Sequence, residues 1–141
     1  MRPLDLTKAP PRSPREELGA LCMLARMIDI ARAKLPGGDI GQYQIGRGVS
    51  GVILRHLGMG VEEFVECVGN AAAEEEIVTR VTGRKTDREN RALSLKMQRL
   101  TAADVPPDLR TEFDRFYGSD VPAGKRVFDI LEEDDAKAFG N

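Results

Sequence analysis

The chain has 141 residues, of which 41% are hydrophobic and 31% charged, and its formal net charge is −2. This length suits one domain, and the composition is that of an ordinary globular protein, which excludes a disordered or strongly basic, nucleic-acid-seeking chain. No stretch has the length of a transmembrane helix, and residues 1–12 lack the apolar core of a signal peptide, so we expect a cytoplasmic protein.

The N-terminal third predicts an extended arm followed by a long helix. Residues 1–12 contain three prolines and predict the arm, and residues 13–141 predict a single helical domain. Within it, residues 13–35 predict one helix that opens with Ser13 and Glu16 as a capping box and ends at Pro36-Gly-Gly. This helix is apolar on almost every side, so we expect it at the centre of the fold.

Three charged residues interrupt the apolar helix. A helical projection places Asp29 and Arg32 inside the apolar arc and Arg26 at its edge. A carboxylate in such a place has to be paired, so we expect Asp29 to be buried and ion-paired. The expected partners lie three positions away on the same helix or in the preceding segment: Arg26, Arg32, Arg12 or Arg15.

Helical spacing, caps, glycines and prolines predict a series of further short helices. They cover residues 49–57, 61–68, 73–81, 86–100 and 106–117. Residues 42–45 alternate polar and apolar side chains and predict at most a minor extended piece. Residues 127–131 predict one or two helical turns before an acidic tail. The fold class is therefore all-α, a compact single-domain bundle of five to seven helices around the central N-terminal helix.

A glycine-rich segment has the pattern of a dinucleotide-binding fingerprint. Gly46-Arg-Gly-Val-Ser-Gly51 fits G-x-G-x-x-G. The fingerprint requires a second parallel strand after the following helix, whereas residues 61–68 have helical spacing. We therefore expect no nicotinamide or flavin cofactor, and interpret the segment as a turn that begins a helix. A simple anion site on its backbone amides, with Arg47, stays open.

Charge is segregated along the chain. Residues 61–78 hold six acidic and no basic residues, and residues 79–100 hold seven basic and two acidic ones. We expect the two segments to face each other or solvent as a complementary pair. The basic segment lacks interleaved aromatic residues and a recognisable binding motif, so we expect no nucleic-acid partner.

Other residue types that often carry chemistry have structural interpretations here. His56 is the only histidine and has no nucleophile near it in sequence. Cys22 and Cys67 lie 45 positions apart without a Cys-x-x-Cys motif, so we expect reduced, buried thiols. The acidic run 132–135 lacks the glycines and spacing of a calcium loop and is interpreted as a solvated face. No metal site and no catalytic set is predicted.

Several segments together resemble a known family. They are Asp5-Leu-Thr7, Pro10 to Glu16, Leu24 to Asp29, Gly41-Gln-Tyr43 and Phe128 to Gly140. Along essentially the whole chain they resemble the bacterial family of domain of unknown function 5069. The resemblance implies a small single-domain protein without an assigned activity. Ile30 stands where the family usually has lysine, and residues 47–50 replace its usual Cys-Pro-Leu-Asp, so no role of those residues carries over.

Two interpretations of function remain open. The first is a non-enzymatic cytoplasmic helical module that mediates protein interaction or self-association, as the amphipathic helices favour. The second is a protein or enzyme that binds a small anionic ligand in a pocket, with Arg26, Asp29, Arg32, Tyr43, Arg12 and Arg47 as the binding residues. A cleft that reaches Asp29 would favour the second, and a fully paired cluster the first. We favour the first.

Overall fold

The computed structural model describes residues 1–140, which form seven α-helices, one short 3-10 helix at Ala102–Asp104 and no strand. The helices are α1 (Leu24–Ala33), α2 (Gly48–Leu57), α3 (Val61–Asn70), α4 (Glu74–Thr82), α5 (Asp87–Arg99), α6 (Pro107–Tyr117) and α7 (Val127–Phe139). This confirms the predicted all-α class. No helix in the described part of the chain has the length and hydropathy of a membrane span.

α1 is the central helix, as its apolar surface predicts. Nine of its ten residues are buried. It packs most extensively against α3, and its apolar side chains join a core that includes Phe64 of α3, Ile77 of α4, Met97 of α5 and Phe128 of α7. Burying each of these large side chains contributes about 1.5–3 kcal/mol, so several helices depend on the same centre.

The predicted start of the first helix is wrong. The helix begins at Leu24 rather than at residue 13, and residues 13–23 form a chain of turns. Ser13 and Glu16 make no capping box, and Gly19, Ala20 and Met23 have positive φ angles of 55°, 68° and 70°. A helix cannot pass through left-handed residues, so the segment turns back on itself instead.

Ser94 of α5 holds these turns in place. Its Oγ donates to the carbonyl of Ala20 at 2.7 Å and accepts from the backbone N–H of Cys22 at 2.9 Å. Gly19 packs so close to α4 that a Cβ there would lie 2.8 Å from Thr82 Cγ2. Tertiary contacts with two later helices therefore outweigh the local helical preference. A short window of sequence does not contain those contacts.

Helices α2 to α6 follow their sequence signals closely. α5 begins with the predicted capping box, since Thr86 Oγ1 accepts from the N–H of Glu89 while the Glu89 carboxylate accepts from the N–H of Thr86. α6 begins at Pro107, and Gly118 ends it with φ of 94°. Residues 42–45, the predicted extended piece, form no strand and lie in a turn and irregular chain.

The predicted end of the chain is wrong as well. Instead of one or two turns and an acidic tail, α7 continues through the acidic run to Phe139. Phe139 packs against a second, smaller apolar cluster around Ile30 and Tyr43, and Asp135 is buried. Contacts made by Phe128, Asp135 and Phe139 with the rest of the protein stabilise this segment as a helix. The local run of charges does not predict these contacts.

Residues 1–12 lie along the helical core. Leu6 is buried in the same small cluster, and its backbone N–H donates to the carbonyl of Asp39 at 2.8 Å. The N-terminal amine of Met1 donates to the carbonyl of Ala71 at 2.8 Å. The segment thus reaches from the end of α1 to the end of α3.

Candidate functional site

The most unusual feature of the interior is an ion pair between α1 and α7. The side chains of Arg26 and Asp135 are only 5% and 11% exposed. Arg26 Nη1 donates to Asp135 Oδ2 at 2.7 Å, and Nη2 donates to Oδ1 at 3.0 Å. This two-pronged geometry is the strongest form of the arginine–carboxylate contact, and burial makes each charge depend on the other.

Tyr43 completes this pair from the loop before α2. Its hydroxyl donates to Asp135 Oδ1 at 2.9 Å, and the Arg26 guanidinium lies 5.4 Å from the centre of its ring. Burial, reinforced by the hydrogen bond to the Asp135 carboxylate, raises the pKa of Tyr43 well above its usual range. Tyr43 is therefore a neutral hydrogen-bond donor to Asp135 at physiological pH.

Asp29 is paired from a different direction. Its carboxylate accepts from Arg12 Nε and Nη2, both at 3.1 Å, and from the backbone N–H of Arg12 at 2.9 Å. The Asp29 side chain is 9% exposed and that of Arg12 is 30% exposed. Of the partners expected from the sequence, the structure thus selects Arg12, from the segment before α1.

Glu74, the first residue of α4, holds the outer side of Arg12. Its carboxylate accepts from both Nη atoms of the guanidinium. Burial alone would lower the pKa of Arg12, but the hydrogen bonds to Glu74 and Asp29 outweigh this and raise it further above its usual range. Arg12 therefore carries a fixed positive charge between two carboxylates.

The backbone carbonyl of Arg12 accepts from Arg26 Nη1 at 3.2 Å, and this hydrogen bond links the Arg26–Asp135 pair to the Arg12–Asp29 pair. We call the whole set the ion cluster: Arg12, Arg26, Asp29, Tyr43, Glu74 and Asp135. Each arginine faces at least one carboxylate, and each carboxylate faces an arginine. As a result the cluster clamps α1, α4, α7 and two connecting segments together.

Two further titratable groups, Asp134 of α7 and Tyr117 of α6, lie beside the ion cluster. Burial, and then the neighbouring Asp135, raise the pKa of Asp134 above its ordinary value. Burial, and then Asp134, raise the pKa of Tyr117 to about 12. For both groups, burial and the neighbouring carboxylate disfavour the charged form.

Four of the predicted site residues meet in the ion cluster, namely Arg12, Arg26, Asp29 and Tyr43, whereas two lie elsewhere. Arg32 Nε donates to the backbone carbonyl of Arg2 at 2.8 Å. Arg47 is exposed and donates through Nε to Glu112 of α6 at 2.8 Å.

The remaining polar residues that the sequence singles out have internal partners too. His56 Nε2 lies 2.9 Å from Oδ1 of Asn90, and Asn90 is fully buried and donates to the carbonyl of Thr82. Cys22 and Cys67 are free and buried, and burial raises the pKa of the Cys22 thiol. Within residues 1–140 no three His, Cys, Asp or Glu side chains converge in a way that could hold a metal ion.

Sequence reasoning missed Asp135 and Glu74. Asp135 follows Phe128 by seven positions and Leu131 by four, which places it on the apolar face of α7, and that spacing could have identified it. Glu74 belongs to a run of three glutamates in the first turn of α4, and nothing in the sequence separates it from the other two.

Two shallow, open surface grooves lie away from the ion cluster. One, of about 480 Å³, is lined by the end of α1 and by α3: Lys34, Leu35, Pro36, Val61, Glu62, Val65, Glu66, Gly69 and Asn70. The other, of about 530 Å³, is lined by Arg15, Leu95, Gln98, Arg99 and Arg126. We call the first the α1–α3 groove. Neither groove is lined by a member of the ion cluster.

The second groove borders an exposed basic face of α5. We call this face the α5 stripe, formed by Arg88, Arg91, Leu95 and Arg99 together with the neighbouring Arg126. Spacings of three and four residues place the α5 members on one side of the helix, and Leu95 is 54% exposed. None of the ion pairs formed by residues 1–140 includes an arginine of the stripe.

The acidic segment stays largely separate from this basic face. Arg84 pairs with Glu63 of α3 at 2.6 Å, and this contact links the two oppositely charged segments. Glu62, Glu66 and Glu75 are exposed and enter none of the ion pairs within residues 1–140. The molecule therefore presents an acidic surface on α3 and α4 and a basic one on α5.

Comparison with known proteins places the chain in a family. No curated protein matches it. A family model described as a domain of unknown function (DUF5069) matches residues 8–135. The match runs from before Arg12 to Asp135 and so encloses every residue of the ion cluster. The chain belongs to the DUF5069 family.

Proposed function

We propose that the chain is a non-catalytic helical module that binds another protein chain, either a partner or a second copy of itself, through the α5 stripe. The observation that carries this proposal is Leu95, a large apolar side chain that is 54% exposed among four arginines without an acidic partner. An apolar centre with a charged rim is the usual anatomy of a protein-binding surface.

The ion cluster supports a structural rather than a catalytic role for the buried charges. Its arginines and carboxylates form ion pairs with one another, and the Tyr43 hydroxyl donates to Asp135. Catalytic acids, bases and nucleophiles must be able to contact the substrate, usually in a cleft. The two surface grooves described above are not lined by Asp29 or any other member of the ion cluster, which favours the interaction module over a ligand pocket there.

The composition of the stripe favours a protein over other partners. Arginine is enriched in protein interfaces because its guanidinium binds carboxylates with two parallel hydrogen bonds and also packs flat against apolar groups. The stripe holds no aromatic residue on which a nucleic-acid base would stack. The setting we propose is a bacterial cytoplasm, because the resemblance implies a bacterial source and a reducing compartment maintains two free thiols.

The test is site-specific photo-crosslinking in cells. A photoreactive residue at position 95 is expected to cross-link to a discrete protein, and the product is expected to disappear when Arg91 and Arg99 are both changed to Glu. The control is the same residue at position 111, which is exposed on α6. Equal products from both positions, or none from position 95, would contradict the proposal.

The ligand-binding alternative has its own readout. A thermal-shift screen over phosphorylated and carboxylate metabolites detects a ligand at 100 times its Kd as about 2.7 kcal/mol of added stability. Under our proposal no metabolite gives a shift that depends on Arg32 or Arg47, the two predicted binding residues that lie outside the ion cluster. A shift lost in a folded Arg32→Met or Arg47→Met variant would favour a small-ligand site instead.

A further inference from the structure

We infer that the protein bound by the α5 stripe is a second copy of this chain, whose α1–α3 groove receives Leu95. This inference rests on the proposed function and names its partner. Leu95 would enter the groove between Leu35 and the valines of α3, while the arginines of the stripe would face the glutamates on its rim.

The α1–α3 groove is an open depression whose apolar lining can contact such a side chain. Its apolar lining comes from Leu35, Pro36, Val61 and Val65, and its volume is about 480 Å³. Leu35, Val61 and Val65 are half-buried, so part of each still meets water. Covering them with another apolar side chain is favourable by about 25 cal/mol for each Å² removed from water.

The rims of the two surfaces are opposite in charge. Glu62 and Glu66 line the groove and have no ion pair within residues 1–140, and the arginines of the stripe have none either. Residues 61–78 carry six acidic and no basic residues, whereas residues 79–100 carry seven basic and two acidic ones. Two copies could thus pair surfaces that a single copy leaves unpaired, and the attraction would also speed their encounter.

Stripe and groove are different surfaces that share no residue, so the contact is heterologous. One copy uses its stripe, the next uses its groove, and the series either closes into a ring or stays open. Lys34, on the rim of the groove, is the one cation there, and the α5 stripe contains no carboxylate. The docking direction is stripe into groove, because the stripe carries the exposed side chain of Leu95 and the groove is the depression that receives it.

The experiment is sedimentation velocity of the purified full chain over a range from about 1 µM to about 1 mM, at low and high salt. The wild type is expected to associate with increasing concentration and to dissociate with added salt. The stripe variant, Arg91→Glu with Arg99→Glu, and the groove variant, Glu62→Lys with Glu66→Lys, are each expected to weaken association about 100-fold or more.

Mixing the two variants provides the decisive measurement. In the mixture, the acidic stripe of one variant faces the basic groove of the other, and the remaining wild-type stripe and groove also match. The mixture is therefore expected to associate although neither variant does so alone. The matched control for the stripe variant is Arg80→Glu with Arg115→Glu, which changes the net charge by the same amount at exposed positions of α4 and α6. This control is expected to associate like wild type.

The outcomes separate this inference from the proposed function. A monomeric wild type throughout, or a mixture that stays monomeric, would overturn the inference. If the purified protein is monomeric while position 95 cross-links in cells to a different protein, the proposed function stands and the second copy is excluded as the partner. If position 95 gives no cross-link and the protein is monomeric, both fail.

Discussion

Changing Asp135 to Ala tests the structural account of the ion cluster most directly. The substitution leaves Arg26, whose side chain is 5% exposed, with a backbone carbonyl as its hydrogen-bond acceptor and no opposing charge. Tyr43 loses its acceptor at the same time. We therefore expect the free energy of unfolding to fall by about 3–5 kcal/mol, the usual loss when one partner of a buried pair is removed.

The expected size follows from burial, and α7 provides a matched control. Asp129 lies on the same helix and pairs with Arg15 at 2.6 Å, but its side chain is 48% exposed. Asp129→Ala should lower stability by less than about 1 kcal/mol, because water screens an exposed pair and solvates the charge that remains. In thermal unfolding, the Asp135 variant should melt about 10 °C or more below wild type.

A double variant separates the loss of attraction from the penalty of an unpaired charge. Arg26→Met combined with Asp135→Leu removes both charges and keeps apolar volume, so it should recover most of the stability that Asp135→Ala loses. Urea denaturation of the single and double variants measures these differences. If Asp135→Ala is as mild as Asp129→Ala, or if the double variant is worse than either single one, the reasoning is wrong.

Three further predictions concern individual contacts. Arg12→Ala should destabilise by about 3–5 kcal/mol and Asp29→Ala by clearly less, because Arg12 keeps a second carboxylate whereas Asp29 would be buried without an opposing charge; equal losses in urea denaturation would contradict this. Ser94→Ala should cost about 1–3 kcal/mol and speed amide exchange in the turn before α1, because it strands a buried N–H and a buried carbonyl; unchanged exchange would refute the role of the hydroxyl. The pKa of Tyr43 is raised by folding from an ordinary value of 10.0, so its contribution to stability is complete below about pH 10 and is lost as the pH rises further. The stability difference between wild type and Tyr43→Phe should therefore shrink above pH 10, and a difference that stays constant would count against the raised pKa.

The helices that the sequence predicts well are those whose ends are set by local chemistry. The capping box of Thr86 and Glu89 and the proline at the start of α6 act within one turn, so a short window of sequence contains their cause. The turns before α1 are different. Ser94, more than 70 positions away, stabilises them, and a local pattern cannot report that contact.

The ion cluster shows the same division. The projection of α1 correctly indicates that Asp29 is buried, because burial follows from helical periodicity. It places Arg32 inside the apolar arc and Arg26 at its edge, whereas the structure buries Arg26 and leaves Arg32 only partly buried. It does not identify the partners of Asp29 and Arg26, since these come from the segment before α1 and from α7. Asp135 in particular is hidden among four consecutive acidic residues, and only the apolar face of α7 distinguishes it.

The separation of 109 residues between Arg26 and Asp135 also has a consequence for folding kinetics. Closing so long a loop is entropically costly, so contacts of this kind form after local helices have developed. Until α7 docks, the Arg26 charge has to stay hydrated, and α1 cannot be enclosed completely. α7 is thus the element that closes the core, and substitutions at Asp135 should accelerate unfolding while leaving the refolding rate nearly unchanged. Stopped-flow denaturant kinetics measure both rates, and an effect concentrated on refolding would place the pair in the folding nucleus instead.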